Sequence, residues 1–147
     1  MKIYVLNGPN LNLLGIREPG IYGSESYDAL LQKIEAHASA RGVSVTCLQS
    51  NHEGALVDYI HEAFFQGIDG IVFNPGAYTH TSIALLDALK ATGIPTVEVH
   101  VSDVDAREEF RRVSYIRPAC LATVSGHGLA GYCEAIDILL AHKGVTA

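Results

Sequence analysis

An arginine and a tyrosine five positions apart, Arg17 and Tyr22 in LGIREPGIYG, sit in a segment that Gly15, Pro19, Gly20 and Gly23 keep out of regular structure. A free phenol ionises near pH ~10 and is a poor base at neutral pH, but a neighbouring cation stabilises the phenolate. Arg17 can be such a cation, so the pair reads as a candidate general base. Farther along, NPGAYTH holds Asn74 and His80 just before a helical pattern, and EVHVSDVDAREEFRR carries Glu98, His100, Ser102, Arg107 and Arg111. With Asn7 and Asn10 ahead of Arg17, these residues supply bases, acids, amide donors and cations, which suits acid/base chemistry on a small anion. Singly, each has an ordinary structural reading: a packed tyrosine, a hydrogen-bonded histidine, an arginine on a solvated helix face beside Glu108 or Glu109. These segments come without a P-loop, a GxGxxG, an HExxH or a nucleophile elbow.

For these residues to meet, the chain must fold so that distant segments reach one rim. Its 147 residues fit one catalytic domain, 1–147, and its 48% hydrophobic content is high enough to leave apolar surface for burial between subunits. The net charge of -6 excludes a phosphate-backbone binder, so no nucleic acid is expected as a partner. The start MKIYVLNGPN has too short an apolar run for a signal peptide, and no run approaches the ~18 residues of a membrane span, which predicts a cytoplasmic protein with no membrane partner. Cys47, Cys120 and Cys133 lack CxxC spacing and read as buried small hydrophobes rather than a disulfide or zinc framework.

The runs KIYVLN, VSVTCLQ, GIVFN, PTVEVH and ACLATVS are continuously apolar, as strands covered on both faces are. Helical stripes lie between them. Tyr27, Leu30, Leu31, Ile34 and Ala38 form the first, stopped by Gly42; Leu56, Val57, Ile60, Ala63 and Phe64 form the second, stopped by Gly67. Thr81 or Ser82 caps a third through Leu89, AREEFRRVS is a shorter helical turn that puts Arg107 and Arg111 on one face, and GLAGYCEAIDILLAHKG is the last helix. His37, His61 and His142 fall inside helical patterns and read as structural.

This alternation predicts an α/β fold: a flavodoxin-like, doubly wound, five-stranded parallel sheet of order 2-1-3-4-5, with ligands bound beyond the strands' carboxyl ends at the switch between the first and third. The long connection NGPNLNLLGIREPGIYG after the first strand then reads as a functional lid.

The stretches NGPNLNLLGIREPGIYG, QSNHEGALVDYIHEA, NPGAYTHTSIAL and EVHVSDVDAREEFRRVSYI resemble, in order, those of the type II 3-dehydroquinate dehydratases. The resemblance implies a hydro-lyase without cofactor or metal that converts 3-dehydroquinate to 3-dehydroshikimate by anti elimination through an enolate, in aromatic biosynthesis or quinate breakdown. It implies a homododecamer built from trimers. In roles carried over from that family, Tyr22 is the base, with Arg17 and Arg107 lowering its pKa, Asn10 holds a water at the enolate oxygen, and His100, oriented by Glu98, is the acid. Asn74, Ser102 and the Val101 N–H hold the carboxylate, His80 and Arg111 bind ring hydroxyls, and Asp87 reaches a neighbouring subunit's site. Leu86 and Asp105 depart from the pattern, the first beside Asp87 and the second near Arg107.

Three other readings compete. A Schiff-base dehydratase needs a lysine at a strand's carboxyl end, where none of Lys2, Lys33, Lys90 and Lys143 lies. A metal-dependent hydrolase would use His80, His100 and Glu98. A non-catalytic carboxylate-binding module would bind quinate-like acids without turnover.

Overall fold

The computed structural model describes residues 1–16, 20 and 25–144, so Arg17 and Tyr22 lie outside the described residues. Strands β1 (Lys2–Asn7), β2 (Ser44–Gln49), β3 (Gly70–Asn74), β4 (Thr96–His100) and β5 (Ala122–Ser125) form one parallel sheet in the order β2-β1-β3-β4-β5. Helices α1 (Tyr27–Ala40), α2 (Glu53–Phe65), α3 (Ile83–Thr92) and α4 (Ala130–Lys143) cover it. This is the expected flavodoxin-like, doubly wound α/β architecture.

Successive strand side chains point to opposite faces, and each face has its own core. Ile3 and Val5 of β1 pack with Leu30 and Ile34 of α1 and with Tyr132, Ile136 and Leu139 of α4. Tyr4 and Leu6 pack with Leu56 and Ile60 of α2 and with Leu85 and Leu89 of α3. Because both faces are covered, the strands need apolar residues at nearly every position, and each large one buried contributes ~1.5–3 kcal/mol. His37 on α1 contacts Asp137 on α4 at 2.9 Å, a structural tie between the two helices.

Several boundaries differ from expectation. Helix α3, capped as expected by Ser82, whose side chain accepts from the Leu85 N–H, continues past Leu89 to Thr92. Strand β5 begins at Ala122 rather than at Ala119, because Arg117–Ala119 curl into a 3-10 turn around Pro118. AREEFRRVS is not one helical turn. Two 3-10 turns, Val104–Ala106 and Glu109–Arg111, flank an extended Arg107 and Glu108, and the Asp103 side chain caps the first by accepting from the Asp105 N–H. The cysteines are free and half-buried rather than fully buried, and desolvation pushes the Cys47 and Cys120 thiols up to about 12. Among the described residues no helix is long and apolar enough to cross a membrane.

The loops after β1 and β3 cross closely. The Gly8 N–H donates to the Asn74 carbonyl at 2.8 Å, and a Cβ at position 8 would lie 2.2 Å from the Pro75 carbonyl oxygen. Only glycine permits that approach, which joins the two loops at the point where strand order reverses.

Candidate active site

Beyond the carboxyl ends of β1, β3 and β4 lies a cavity of about 200 Å³. Asn10, Asn74, His80, His100, Val101, Ser102, Arg107 and Arg111 line it, so eight of the expected site residues meet in space. Arg107 and Arg111 reach the same cavity although no single helical turn spans them. Asp87 is exposed on α3 and does not line the cavity, and Glu98 stands behind His100 rather than at the surface of the site.

Asn10 holds a left-handed backbone, φ 69°, and is the only described residue other than glycine with positive φ. Asparagine tolerates that region better than most residues, and the Asn51 side chain fixes the turn by accepting from the Asn10 N–H at 3.1 Å. The turn thereby sets Asn10 on the cavity wall.

On β4, Thr96, Glu98 and His100 share one face and Val97 and Val99 the other, a consequence of the strand's two-residue period. Glu98 is 0% exposed, so its charge must be compensated within the fold. Its carboxylate contacts His100 Nε2 at 2.5 Å and accepts from Ser114 Oγ at 2.9 Å, from Arg117 Nε and Nη2 each at 3.2 Å, and from Thr123 Oγ1 at 3.3 Å. Burial alone would raise the Glu98 pKa, but the bonds from His100 and Arg117 and their charges outweigh it and hold the carboxyl at about 2. Because that carboxylate can only accept, Nε2 of His100 carries a hydrogen, and Nδ1 is the ring nitrogen without a partner among the described residues. His100 itself is 5% exposed, at the cavity wall.

His80 is fixed in the same manner from the other side. Its Nδ1 donates to the Val113 carbonyl at 2.7 Å, so in the neutral ring Nε2 is an acceptor. Desolvation lowers the His80 pKa and the charges of His100 and Arg111 push the same way, against the Val113 bond. Glu108 binds Arg111 Nε at 2.7 Å and approaches Arg107 Nε to 3.9 Å, which keeps two cations at one edge of the cavity.

Asn74 is 4% exposed and its amide is fully specified. Oδ1 accepts from the Gly76 N–H at 3.1 Å, and Nδ2 donates to the Tyr132 hydroxyl at 2.9 Å. That hydroxyl donates in turn to Asn7 Oδ1 at 2.6 Å.

Sequence reasoning gave no role to Ser114, Arg117, Thr123 or Tyr132. Glu98 signals the first three, because a carboxylate in a strand buried on both faces demands a cation and donors. A GxGxxG spacing does occur outside those segments, in GHGLAG, 126–131, between β5 and α4. Gly126 takes φ +80° there, a Cβ on Gly131 would press to 3.2 Å on Val124, and no residue of the motif lines the cavity. Asp105 is exposed and lies at a second cavity with Arg117, whose charged form it favours. The histidine-metal alternative does not match the geometry. Glu98 is taken up by four side chains and His80 Nδ1 by a carbonyl, and among the described residues no group of three or more His, Cys, Asp or Glu side chains is arranged to hold a metal.

The family model for dehydroquinase class II matches residues 1–140. A 3-dehydroquinate dehydratase of Caldicellulosiruptor bescii is 55% identical over 138 residues, 94% of this chain and 95% of that one. The crystal structure of a type II dehydroquinase from Butyrivibrio crossotus superposes with a TM-score of 0.94 at 54% identity, covering 95% of this chain and 97% of that one. A second, from Propionibacterium acnes, gives 0.91 at 39% identity over 95% and 96%.

Proposed function

This chain belongs to the class II dehydroquinase family, as an enzyme that dehydrates 3-dehydroquinate in the shikimate pathway, and we propose that it does so with a tyrosine base and a histidine acid. The observation that carries this reading is the His100–Glu98 pair at the wall of a cavity lined by amides and arginines. Tyr22, as phenolate, removes the proton on the carbon next to the substrate ketone, and Arg17 and Arg107 favour that phenolate. The carbonyl takes up the electron pair as an enolate, whose oxygen is met by a water held on Asn10. The enolate then collapses, the carbon–oxygen bond to the departing hydroxyl breaks, and His100 protonates it to water, leaving the conjugated enone. Glu98 keeps the imidazole in one orientation and stabilises its charged form.

Binding follows from the same surfaces. Asn74, Ser102 and the Val101 N–H receive the carboxylate, and His80 Nε2 and Arg111 address ring hydroxyls from opposite hydrogen-bonding senses. Asp87 serves a neighbour's site in a dodecamer built from trimers, acting in the cytoplasm without cofactor or metal. The exposure of Asp87 on α3 supports its reach outward, and the exposed apolar side chains of Phe110, Val113, Tyr115 and Leu121 support burial between subunits. The same step serves aromatic biosynthesis and quinate breakdown.

The test is near-ultraviolet absorbance after mixing with 3-dehydroquinate, since the enone product absorbs where the substrate does not. Absorbance should rise with native protein and fail to rise at a comparable rate with His100→Ala. An equal rate in that variant would remove His100 from the mechanism.

A further inference from the structure

We propose that Tyr132 is a positioning residue for substrate binding: its buried hydroxyl, with the Gly76 N–H at the other end, holds the Asn74 amide so that Nδ2 keeps one hydrogen for the cavity. The inference rests on the reading of Asn74 as a donor to the substrate carboxylate. Asn7 and Asn74 are register neighbours at the carboxyl ends of β1 and β3, and Tyr132 of α4 reaches both from the covering helix.

The direction of the bonds at Asn74 is forced. A backbone N–H can only donate, so the atom of Asn74 that faces Gly76 at 3.1 Å must be Oδ1. Nδ2 then faces Tyr132 and donates to it at 2.9 Å. A phenol has one proton, and Tyr132 gives it to Asn7 Oδ1 at 2.6 Å. Turning the Asn74 amide over would set its NH2 against the Gly76 N–H and its oxygen against a tyrosine oxygen whose proton is engaged elsewhere. One hydrogen of Nδ2 remains, and Asn74 lines the cavity, so the network presents a donor there.

Burial gives the arrangement its hold. Asn7 and Tyr132 are 0% exposed, so water does not replace a lost partner without rearrangement of the core. Desolvation also raises the Tyr132 pKa far above that of a free phenol, with the Asn74 bond only partly offsetting it, so the hydroxyl stays protonated and keeps both roles. A donor already oriented before substrate arrives costs no reorganisation on binding.

Tyr132→Phe removes the hydroxyl and keeps the ring. We expect KM for 3-dehydroquinate to rise ~10-fold while kcat changes less than ~3-fold, the pattern of lost uniform binding. Asn74→Ala should raise KM at least as much, and Tyr132→Phe should add nothing in the Asn74→Ala background. If Asn74→Ala leaves KM unchanged, the carboxylate reading of Asn74 fails and the inference with it. If Asn74→Ala raises KM but Tyr132→Phe does not, or if the two effects add in full, Tyr132 does not act through Asn74 and the inference is overturned alone. Should Tyr132→Phe not fold, Asn7→Ala frees the tyrosine proton and leaves the ring in place. The same KM rise and the same non-additivity with Asn74→Ala are then expected, and their absence overturns the inference equally.

Discussion

Glu98 and His100 stand two residues apart on one strand face, with Oε2 and Nε2 separated by 2.5 Å and both side chains nearly out of contact with solvent. The strand's pleat makes them neighbours and the burial makes their pairing obligatory. Glu98→Gln preserves shape but replaces the ionic partner with an amide, which no longer stabilises a charged imidazole. Turnover should fall ~10²-fold with a smaller change in KM, measured by steady-state enone formation. A kcat within a few-fold of wild type would show that His100 needs no carboxylate.

The same carboxylate links stability to pH. Its folded pKa of about 2 lies below the ordinary glutamate value of 4.5, so the folded state holds Glu98 ionised more strongly than the unfolded chain does. The sign follows: this stabilisation is complete above pH ~5, declines as pH falls below ~4.5, and is gone once pH passes below ~2. Urea midpoints measured from neutral pH down to about pH 3 should therefore decline in the wild type more steeply than in Glu98→Gln. Parallel declines would mean that other carboxylates dominate acid unfolding.

Asn10 combines a strained backbone with a proposed contact to the water at the enolate oxygen, and two substitutions separate those properties. Asn10→Gly removes the amide and suits φ 69°, whereas Asn10→Ala removes the amide and keeps a Cβ in the left-handed region. Melting temperature should be lower for Asn10→Ala than for Asn10→Gly, by an amount matching ~1 kcal/mol. Both should lose turnover, by ~10²-fold if the water-mediated donor matters as other oxyanion donors do. Activity retained in Asn10→Gly would leave Asn10 with a conformational role only.

Asp87 tests the shared site. It is exposed on α3, outside its own subunit's cavity, so Asp87→Ala should leave the fold and its melting temperature within ~0.5 kcal/mol of wild type. Sedimentation should show the wild type as an assembly of trimers, and the variant's KM should rise. A fully active monomer, or an Asp87→Ala enzyme with unchanged KM and kcat, would rule out the neighbour's contribution.

How much of this was legible in the residues depends on what each one buries. Strand order followed from continuous apolar runs, because Ile3 and Tyr4 need opposite cores and both exist. Asn10, Asn74, His80, His100 and the two arginines were found because polar residues at strand ends have nothing apolar to pack against. Tyr132 was not, because in sequence it is one more large residue on the last helix's inner stripe, and its hydroxyl partners arrive from 125 and 58 positions away. Arg117 was hidden by Cys120 and Leu121, which extended the apparent fifth strand back over a 3-10 turn. AREEFRRVS has helix-forming composition, and a side-chain cap at Asp103 with short-range turns won over that propensity.

Whether Arg17 makes Tyr22 a base lies outside the described residues and rests on chemistry. Tyr22→Phe removes only the phenolic oxygen, so substrate binding should persist while turnover drops by ~10²- to 10⁴-fold or more. A variant within a few-fold of wild type would refute the assignment. The finer test is the rising limb of the pH–rate profile. Because a nearby cation favours the phenolate, that limb should lie well below the pH at which a free phenol ionises. Arg17→Met keeps much of the side chain's length and removes its charge, so the limb should move to higher pH with a smaller change in binding. Arg107 lines the cavity and is the other candidate cation, so Arg107→Met is the control. If the limb stays in Arg17→Met and moves in Arg107→Met, then Arg107 activates the tyrosine and Arg17 belongs only to the lid.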